Sequence, residues 1–472
     1  MKILLINPPA HHELVGNNPP VVEQTRGTNP PLGLLCVAAC VEAETRHNVS
    51  VVDAQVENAD YAALREIVAR EAPDVVGVSA MTLTLIDALA TCSLVKEVNP
   101  DTVVVLGGPH AFLYPDETIS QPTVDFLVVG EGERTFPALV ERIGDAKALR
   151  TVPGLVFEHD GCIVHTGTPE LIENLDALPF PARRLTPVEK YGSVLAARKG
   201  PVTTMITSRG CPYGCSFCAR PHLGKKFRKR SARNVVDEML ECVKMGIEEF
   251  LIYDDTFTVD RERVMSICRE ITARKLDIAY DIRARVDCVD EEMLGLLRRS
   301  GCRQIHYGVE SGTPEVLSRL NKGITLEHVR HAFSITRKAG MGTLAYFMIG
   351  CPGETREDIL RTIAFAKELR ADYAHFTILT PFPASRIYRD AIERGVIAGD
   401  VWRHFAAVPD AGFQPPYWEE KLSRDELVDL LDRAYRDFYG RPRYILGQIA
   451  RVRSLSEFAR KAGAGLRLLS ER

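Results

Sequence analysis

The chain has 472 residues, 45% hydrophobic and 26% charged, with a formal net charge of −4. That length exceeds one ordinary core and fits two domains plus an appendage, and the near-balanced charge gives no general pull toward nucleic acid. No apolar stretch approaches the roughly 20 residues of a membrane span.

The N-terminal run 1–6 is apolar, passes directly into Asn7-Pro8-Pro9, and is too short for a signal peptide, so it predicts a first strand. From residue 1 to about 145, β-branched runs at 3–6, 49–52, 75–78, 103–106 and 126–129 alternate with helical patterns near 32–44, 60–71, 85–97 and 134–143. Such alternation predicts a parallel sheet with helices on both faces. Ligands bind these sheets beyond the carboxyl ends of the strands. The strand ends here suit a large polar ligand: Ser79-Ala80-Met81-Thr82 offers hydroxyls, and Gly107-Gly108-Pro109-His110 and Gly130-Glu131-Gly132-Glu133 let backbone approach closely. No G-x-G-x-x-G follows the first strand, which argues against a dinucleotide. His11, His12 and His110 are expected as solvent-exposed loop residues. A hairpin follows, 155–158 and 163–166 joined through Asp160-Gly161. A polar linker marked by Leu178-Pro179-Phe180-Pro181 then leads to the second domain.

The next apolar run, 202–207, is followed by Cys211, Cys215 and Cys218 in the spacing C-x3-C-x2-C. A cubane 4Fe-4S cluster normally takes four thiolates. Three from one loop leave an iron open to a small chelating molecule. A structural zinc knuckle wants four ligands, usually as two separated C-x2-C pairs, and no second pair occurs. The other nine cysteines are scattered singly, apart from Cys36 and Cys40 in a helical run; Cys92, Cys242, Cys268 and Cys302 read as small buried apolar residues. A disulfide framework is not expected in a chain this long without a secretory signal.

From about 195 to 395 the alternation resumes, with strand candidates at 202–207, 249–253, 279–283, 304–308, 343–349 and 375–379. Six strand–helix units predict an open, partial (β/α)6 barrel whose functional residues gather at the C-terminal strand ends. The motifs fall there: Tyr253-Asp254-Asp255-Thr256-Phe257 after the second strand, Arg283-Ala284-Arg285-Val286-Asp287 after the third, and Tyr307-Gly308-Val309-Glu310-Ser311-Gly312 after the fourth. Gly350-Cys351-Pro352-Gly353-Glu354 ends the fifth, and Thr380-Pro381-Phe382-Pro383 the sixth.

The cysteine loop and these motifs resemble the radical S-adenosylmethionine (SAM) superfamily. Pro30-Pro31-Leu32-Gly33-Leu34 and the two glycine turns of the first third resemble the cobalamin (B12)-binding domain that precedes the barrel in one branch, that of class B methyltransferases and oxidative cyclases. The D-x-H-x-x-G motif that supplies a histidine to cobalt elsewhere is absent, as is usual in that branch. The resemblance implies an α/β chain: a Rossmann-like cobalamin-binding domain over 1–145, hairpin and linker over 146–194, the barrel over 195–395 and a helical segment over 396–472. It implies Cys211, Cys215 and Cys218 as cluster ligands. Phe217 presents its ring or nearby backbone to adenine, or serves as apolar filler. Asp254 and Asp255 accept the ammonium of methionine, or one of them caps a helix. Arg283 and Arg285 neutralise its carboxylate, or pair with Asp287. Glu310 accepts the ribose hydroxyls, or pairs with a barrel arginine, and Gly350 allows close passage beside adenine. Ser79, Thr82, Gly107, Gly108, His110, Gly130 and Glu131 fall on the cobalamin side. Arg228 and Arg230, in a basic run, are expected on a solvated face, and Tyr307 and Tyr346 in packing roles.

The implied activity is reductive cleavage of SAM to a 5'-deoxyadenosyl radical, leading to C-methylation with cobalamin; the alternative is an oxidative cyclase, dehydratase or carbon–carbon coupling enzyme of the same architecture. The substrate would be a small or lipid-like molecule, the electron donor a flavodoxin or ferredoxin type, the compartment a reducing cytoplasm, and nucleic acid no partner. A helix near 424–439 is expected to lid the barrel, with Trp402, Tyr417 and Trp418 in loops. The last 32 residues carry eight basic side chains among apolar ones, a pattern that suits peripheral membrane contact or packing on protein.

Overall fold

The structure, a computed structural model, describes residues 1–14, 27–192, 200–220 and 224–451, with side chains to residue 447. The N-terminal sheet has the strand order β2-β1-β3-β4-β5-β6-β7, with β1 Lys2–Asn7, β2 Asn48–Asp53, β3 Val75–Ser79, β4 Val103–Gly107, β5 Phe126–Val128, β6 Leu155–His159 and β7 Cys162–His165. The first five are parallel. Their centres, such as Leu4, Leu5, Val76 and Leu106, are buried. Continuous apolar runs arise because helices cover both faces. Helices Leu32–Glu44 and Gly132–Val140 cover one face through Ala38, Val41, Phe136 and Leu139. Helices Tyr61–Glu71 and Leu85–Val98 cover the other through Leu64, Val68, Ala88 and Cys92.

The hairpin was expected beyond the first domain; instead it extends this sheet. β6 pairs antiparallel with β5. The three-residue β5 would otherwise be an open edge, and the Phe126 and Phe157 rings meet across the pair at 5.6 Å.

The second sheet is parallel throughout, in the order β15-β14-β13-β12-β11-β8. Its strands are β8 Val202–Met205, β11 Glu249–Ile252, β12 Ala279–Ala284, β13 Cys302–Glu310, β14 Gly342–Ile349 and β15 Tyr373–Ile378. The terminal strands β8 and β15 do not pair, so the barrel is open as predicted. Its helices start on side-chain caps: Ser231, Asp260, Asp290, Thr325 and Thr355 each accept a hydrogen bond from the N–H three residues on. Such caps contribute about 1 kcal/mol each and fix where each strand-to-helix loop must end.

Helix Arg424–Tyr439 does not lid the barrel. It lies along the free edge of β15, where the Tyr435 hydroxyl donates to Phe376 O (2.9 Å) and accepts from Phe376 N (3.2 Å), and Tyr439 does the same at Ala374 (2.8 and 3.1 Å). Edge backbone groups need partners, and here tyrosines supply them. Trp402 is likewise not in a loop: it is fully buried in helix Val401–Ala407, with Nε1 donating to Pro381 O at 2.9 Å. Residues 452–472 of the basic tail lie outside the described residues. Among the described residues no helix is long and apolar enough to cross a membrane.

Candidate active site

The cysteine loop leaves β8 through a short strand β9 (Ser208–Arg209) and returns through β10 (Arg228–Lys229), which pair antiparallel. At the neck Gly210 has φ +84°, and a Cβ there would sit 2.3 Å from Lys226 O; only glycine lets the two limbs approach this closely. Ser216 N donates to Leu320 O (2.9 Å) and Ser216 O accepts from Ile387 N (3.0 Å), pinning the loop to its surroundings. Cys211 is buried, its Sγ 3.8 Å from Thr256 Oγ1, while Cys218 is exposed. The Cys218 thiol is nevertheless pushed up by local desolvation in the loop; Arg220 opposes that, and Cys215 and Cys211 add to it. Among the described residues no three His, Cys, Asp or Glu side chains gather around a single ion. Three thiolates supplied by one loop suit a cluster that ties each to a separate iron.

The carboxylates around this loop divide sharply. Asp254, fully buried, accepts from Thr207 N (2.5 Å), Thr207 Oγ1 (2.6 Å), Ser208 N (3.1 Å) and Ser208 Oγ (2.6 Å). It braces the strand end that feeds the cysteine loop; both oxygens are committed, which corrects its expected role as an ammonium acceptor. Asp255 pairs with Arg220, and its Oδ2 is buried without a partner. An orphaned carboxylate oxygen beside the cysteines is what an ammonium would satisfy.

The two arginines have different surroundings. Arg283 lies 3.5 Å from the Tyr253 ring centroid and donates to Ile252 O at 3.0 Å. Arg285 takes the structural alternative: it pairs with Asp287 (3.0 Å), stacks on Tyr213 (3.8 Å), donates to Lys322 O (2.8 Å) and places Nη1 4.0 Å from Cys215 Sγ. Glu310, at φ +71°, pairs with Lys322 at 2.6 Å rather than with an arginine. The same ammonium stands 5.8 Å from the half-buried Phe217 ring. Lys322 was not foreseen because no motif spacing links it to Glu310. A Cβ on Gly308 would lie 2.4 Å from Glu310 Oε1 and 2.8 Å from Lys322 Nζ. Gly308→Ala is thus expected to displace the pair, costing about 1–3 kcal/mol of stability, and to weaken SAM binding, both measurable by thermal unfolding with and without SAM.

Gly350 has φ +74°, and its Cβ would meet Leu427 Cδ2 at 3.0 Å. Its bareness leaves room for the helix that seals β15. In the following turn Glu354 Oε2 accepts from Cys351 N at 2.9 Å while Oε1 is buried without a partner. Burial raises this carboxyl from 4.5 to about 7. A raised folded-state value favours folding below pH 4.5 and loses that contribution as pH climbs through 7, a swing of about 3 kcal/mol. Glu354→Gln is expected to flatten this part of the stability profile, read as unfolding midpoints between pH 5 and pH 8.

Where the two domains meet, the strand ends of both enclose a cavity of about 380 Å3. Of the predicted residues, Ser79, Gly107, Gly108, Gly130 and Glu131 line it; Leu5, Val105 and Phe136 floor it, and Ile206, Ser208, Arg209, Tyr253 and Asp255 close it from the barrel side. The floor is apolar and the rim is glycine. Gly107 is the informative position, since a Cβ there would touch nothing nearer than Val128 O at 3.8 Å. This cradle fits the broad apolar and polar faces of a cobalamin. Thr82 and His110 do not line it. His110, expected in solvent, is fully buried, with Nδ1 3.1 Å from Thr82 Oγ1. The turn at Gly108 (φ +99°) tucks it inward, and burial lowers its imidazole to about 4, leaving it neutral. His11 and His12 are exposed as expected, His12 Nδ1 lying 2.9 Å from buried Asp87.

Arg228 and Arg230 are not on a solvated face. Arg228 and Arg209 pair with Glu131 at 2.8 and 2.7 Å, and Arg209 also pairs with Glu133. Arg230 pairs with Glu238, which also binds Arg183 at 2.6 Å. Lys225 and Lys226 are exposed. The overlooked signal is alternation: in Arg228-Lys229-Arg230 the strand period of two turns both arginines inward and the lysine outward.

The strand ends of an open parallel barrel carrying a three-cysteine loop and those of a doubly wound domain thus share one cavity. The profile of the radical SAM superfamily matches residues 205–366, and that of the B12 binding domain residues 19–140. An uncharacterized methyltransferase of Pyrococcus horikoshii is 34% identical over 455 residues, 95% of each chain. The anaerobic magnesium-protoporphyrin IX monomethyl ester cyclase of Rubrivivax gelatinosus is 28% identical, covering 95% of this chain and 85% of that one. The structure of the cobalamin-dependent SAM radical enzyme OxsB, with aqua-cobalamin and SAM bound, superposes with a TM-score of 0.72 at 18% identity, over 99% of this chain and 71% of that one. The chain belongs to the radical SAM superfamily, in the branch whose barrel follows a B12-binding domain. It is an enzyme whose cofactors are a 4Fe-4S cluster, SAM and cobalamin.

Proposed function

We propose that the protein transfers a methyl group to an unactivated carbon of a small molecule. The observation that carries this reading is the single cavity bounded by Gly107 and Gly130 of the N-terminal sheet and by Tyr253 and Asp255 beside the cysteine loop; it lets a cobalamin and a radical source address one substrate. When bound, the cluster and SAM supply a 5'-deoxyadenosyl radical that removes a hydrogen atom from carbon, and the cobalamin supplies the methyl group. The chain's own residues bind, orient and exclude water. Cys211, Cys215 and Cys218 would ligate three irons, Asp255 would take the methionine ammonium on its unpaired oxygen, and Glu310 with Lys322 would sit at the ribose, beside Phe217 at the adenine. Arg285 holds Cys215 in place from behind, and Asp254 fixes the strand end ahead of the loop.

A one-electron donor of flavodoxin or ferredoxin type would reduce the cluster. All twelve cysteines are free thiols, in keeping with a reducing compartment. The experiment is anaerobic reconstitution with methyl-labelled SAM and reduced cobalamin. Label should appear in bound cobalamin even before the substrate is identified; a cobalamin that never takes label would remove methyl transfer. The likeness to an oxidative ring cyclase favours one second reading, oxidation of substrate without methylation, in which deoxyadenosine forms while cobalamin stays unlabelled.

A further inference from the structure

The two acidic residues of Gly130-Glu131-Gly132-Glu133 are turned away from a purely ligand-binding role by five buried or part-buried contacts. Glu131 receives Arg228 Nη1 on both oxygens (2.9 and 2.8 Å), Arg209 Nη1 at 2.7 Å and the Ile172 amide at 2.7 Å. Glu133 receives the other arm of Arg209. Arg228 in turn donates to Ile172 O at 2.8 Å. The side chains of Glu131, Glu133 and Arg228 are each less than one-tenth exposed. Burial works to raise the Glu131 carboxyl, but Arg228 and Arg209 outweigh it and hold it below its ordinary range. Arg209 and Arg228 face each other across the paired strands β9 and β10 at the neck of the cysteine loop, and Arg209 is two residues from Cys211. The turn at the other end of the contacts lines the cobalamin cavity.

We propose that Arg209 and Arg228 are positioning residues that couple occupancy of the cobalamin cavity to the conformation of the cluster loop, through Glu131 and Glu133. Removing any one member strands a buried charge, so the neck and the turn keep one relative placement. A cofactor that orders the turn then orders the neck, and by reciprocity a cluster that orders the neck raises affinity at the cavity. The inference rests on the two-cofactor reading above.

The test uses the full chain, anaerobically, with hydroxocobalamin as probe, its affinity followed by visible absorbance. Arg228 is the diagnostic position because it does not line the cavity. Cluster reconstitution should tighten hydroxocobalamin binding by roughly 10-fold in the wild type, by little or nothing in Arg228→Met, and by an intermediate factor in Arg228→Lys. Amide exchange of the wild type gives a readout independent of any variant's folding: hydroxocobalamin added to cluster-free protein should slow exchange at residues 226–229. Equal tightening in the wild type and Arg228→Met would overturn the coupling, as would protection confined to residues 128–133 and 206–209. No hydroxocobalamin binding by the wild type at all would overturn both this inference and the cofactor reading beneath it.

Discussion

Cys215→Ala is expected to reduce SAM cleavage to background under dithionite, with Cys211→Ala and Cys218→Ala doing the same. The three thiols would hold three irons; Cys242, Cys268 and Cys302 are buried in the barrel core and Cys351 beneath the fifth strand end, whereas Cys288 Sγ lies 2.9 Å from the Tyr213 hydroxyl of the loop, so Cys288→Ala serves as the control. Loss of one ligand would leave a second iron without a protein thiolate, so the site that SAM would use would no longer be distinguished from the others. Cys215 is the sharpest test because its surroundings are otherwise rigid, with Ser216 pinned by two backbone hydrogen bonds and Arg285 fixed by Asp287 and Tyr213. The fold should persist in this variant. Deoxyadenosine formed at the wild-type rate by cluster-reconstituted Cys215→Ala would mean that the loop is not the radical source.

The second large effect is expected from Gly107→Leu. Gly107 ends β4 at the cavity, and its nearest neighbours to an added Cβ are 3.8 and 3.9 Å away, so the strand tolerates the substitution. The rest of the side chain has only the cavity to enter. Hydroxocobalamin affinity should fall about 100-fold, roughly the 3 kcal/mol of a severe steric clash. SAM cleavage at the cluster should fall far less, by no more than the roughly 10-fold coupling between the two sites. Parallel loss of both activities would show that the two cofactors are not separable in the way the cavity implies.

Much of the architecture was legible because its signals are local. The β-branched runs of β1, β3 and β4 announce buried parallel strands, the helix Leu32–Glu44 has the bounds expected of it, and the C-x3-C-x2-C spacing identifies its chemistry within eight residues. What escaped was the partner of each polar side chain. Asp254 and Asp255 are neighbours in sequence, yet one is saturated by Thr207 and Ser208 and the other keeps a bare oxygen. Arg228 looked like part of a soluble basic run until the neck of the loop carried it against Glu131. His110 was hidden by a glycine turn whose sense no motif encodes, and Lys322 reached Glu310 only because β13 and its following helix fold back together. These pairings depend on distances between segments, which neither composition nor periodicity contains.

Low-temperature electron paramagnetic resonance of the reconstituted, dithionite-reduced protein, recorded before and after SAM, probes the open iron most directly. A reduced 4Fe-4S signal whose g-values shift when SAM is added is the expected result, since the cofactor would bind the metal itself. A reduced cluster whose spectrum ignores saturating SAM would contradict the account.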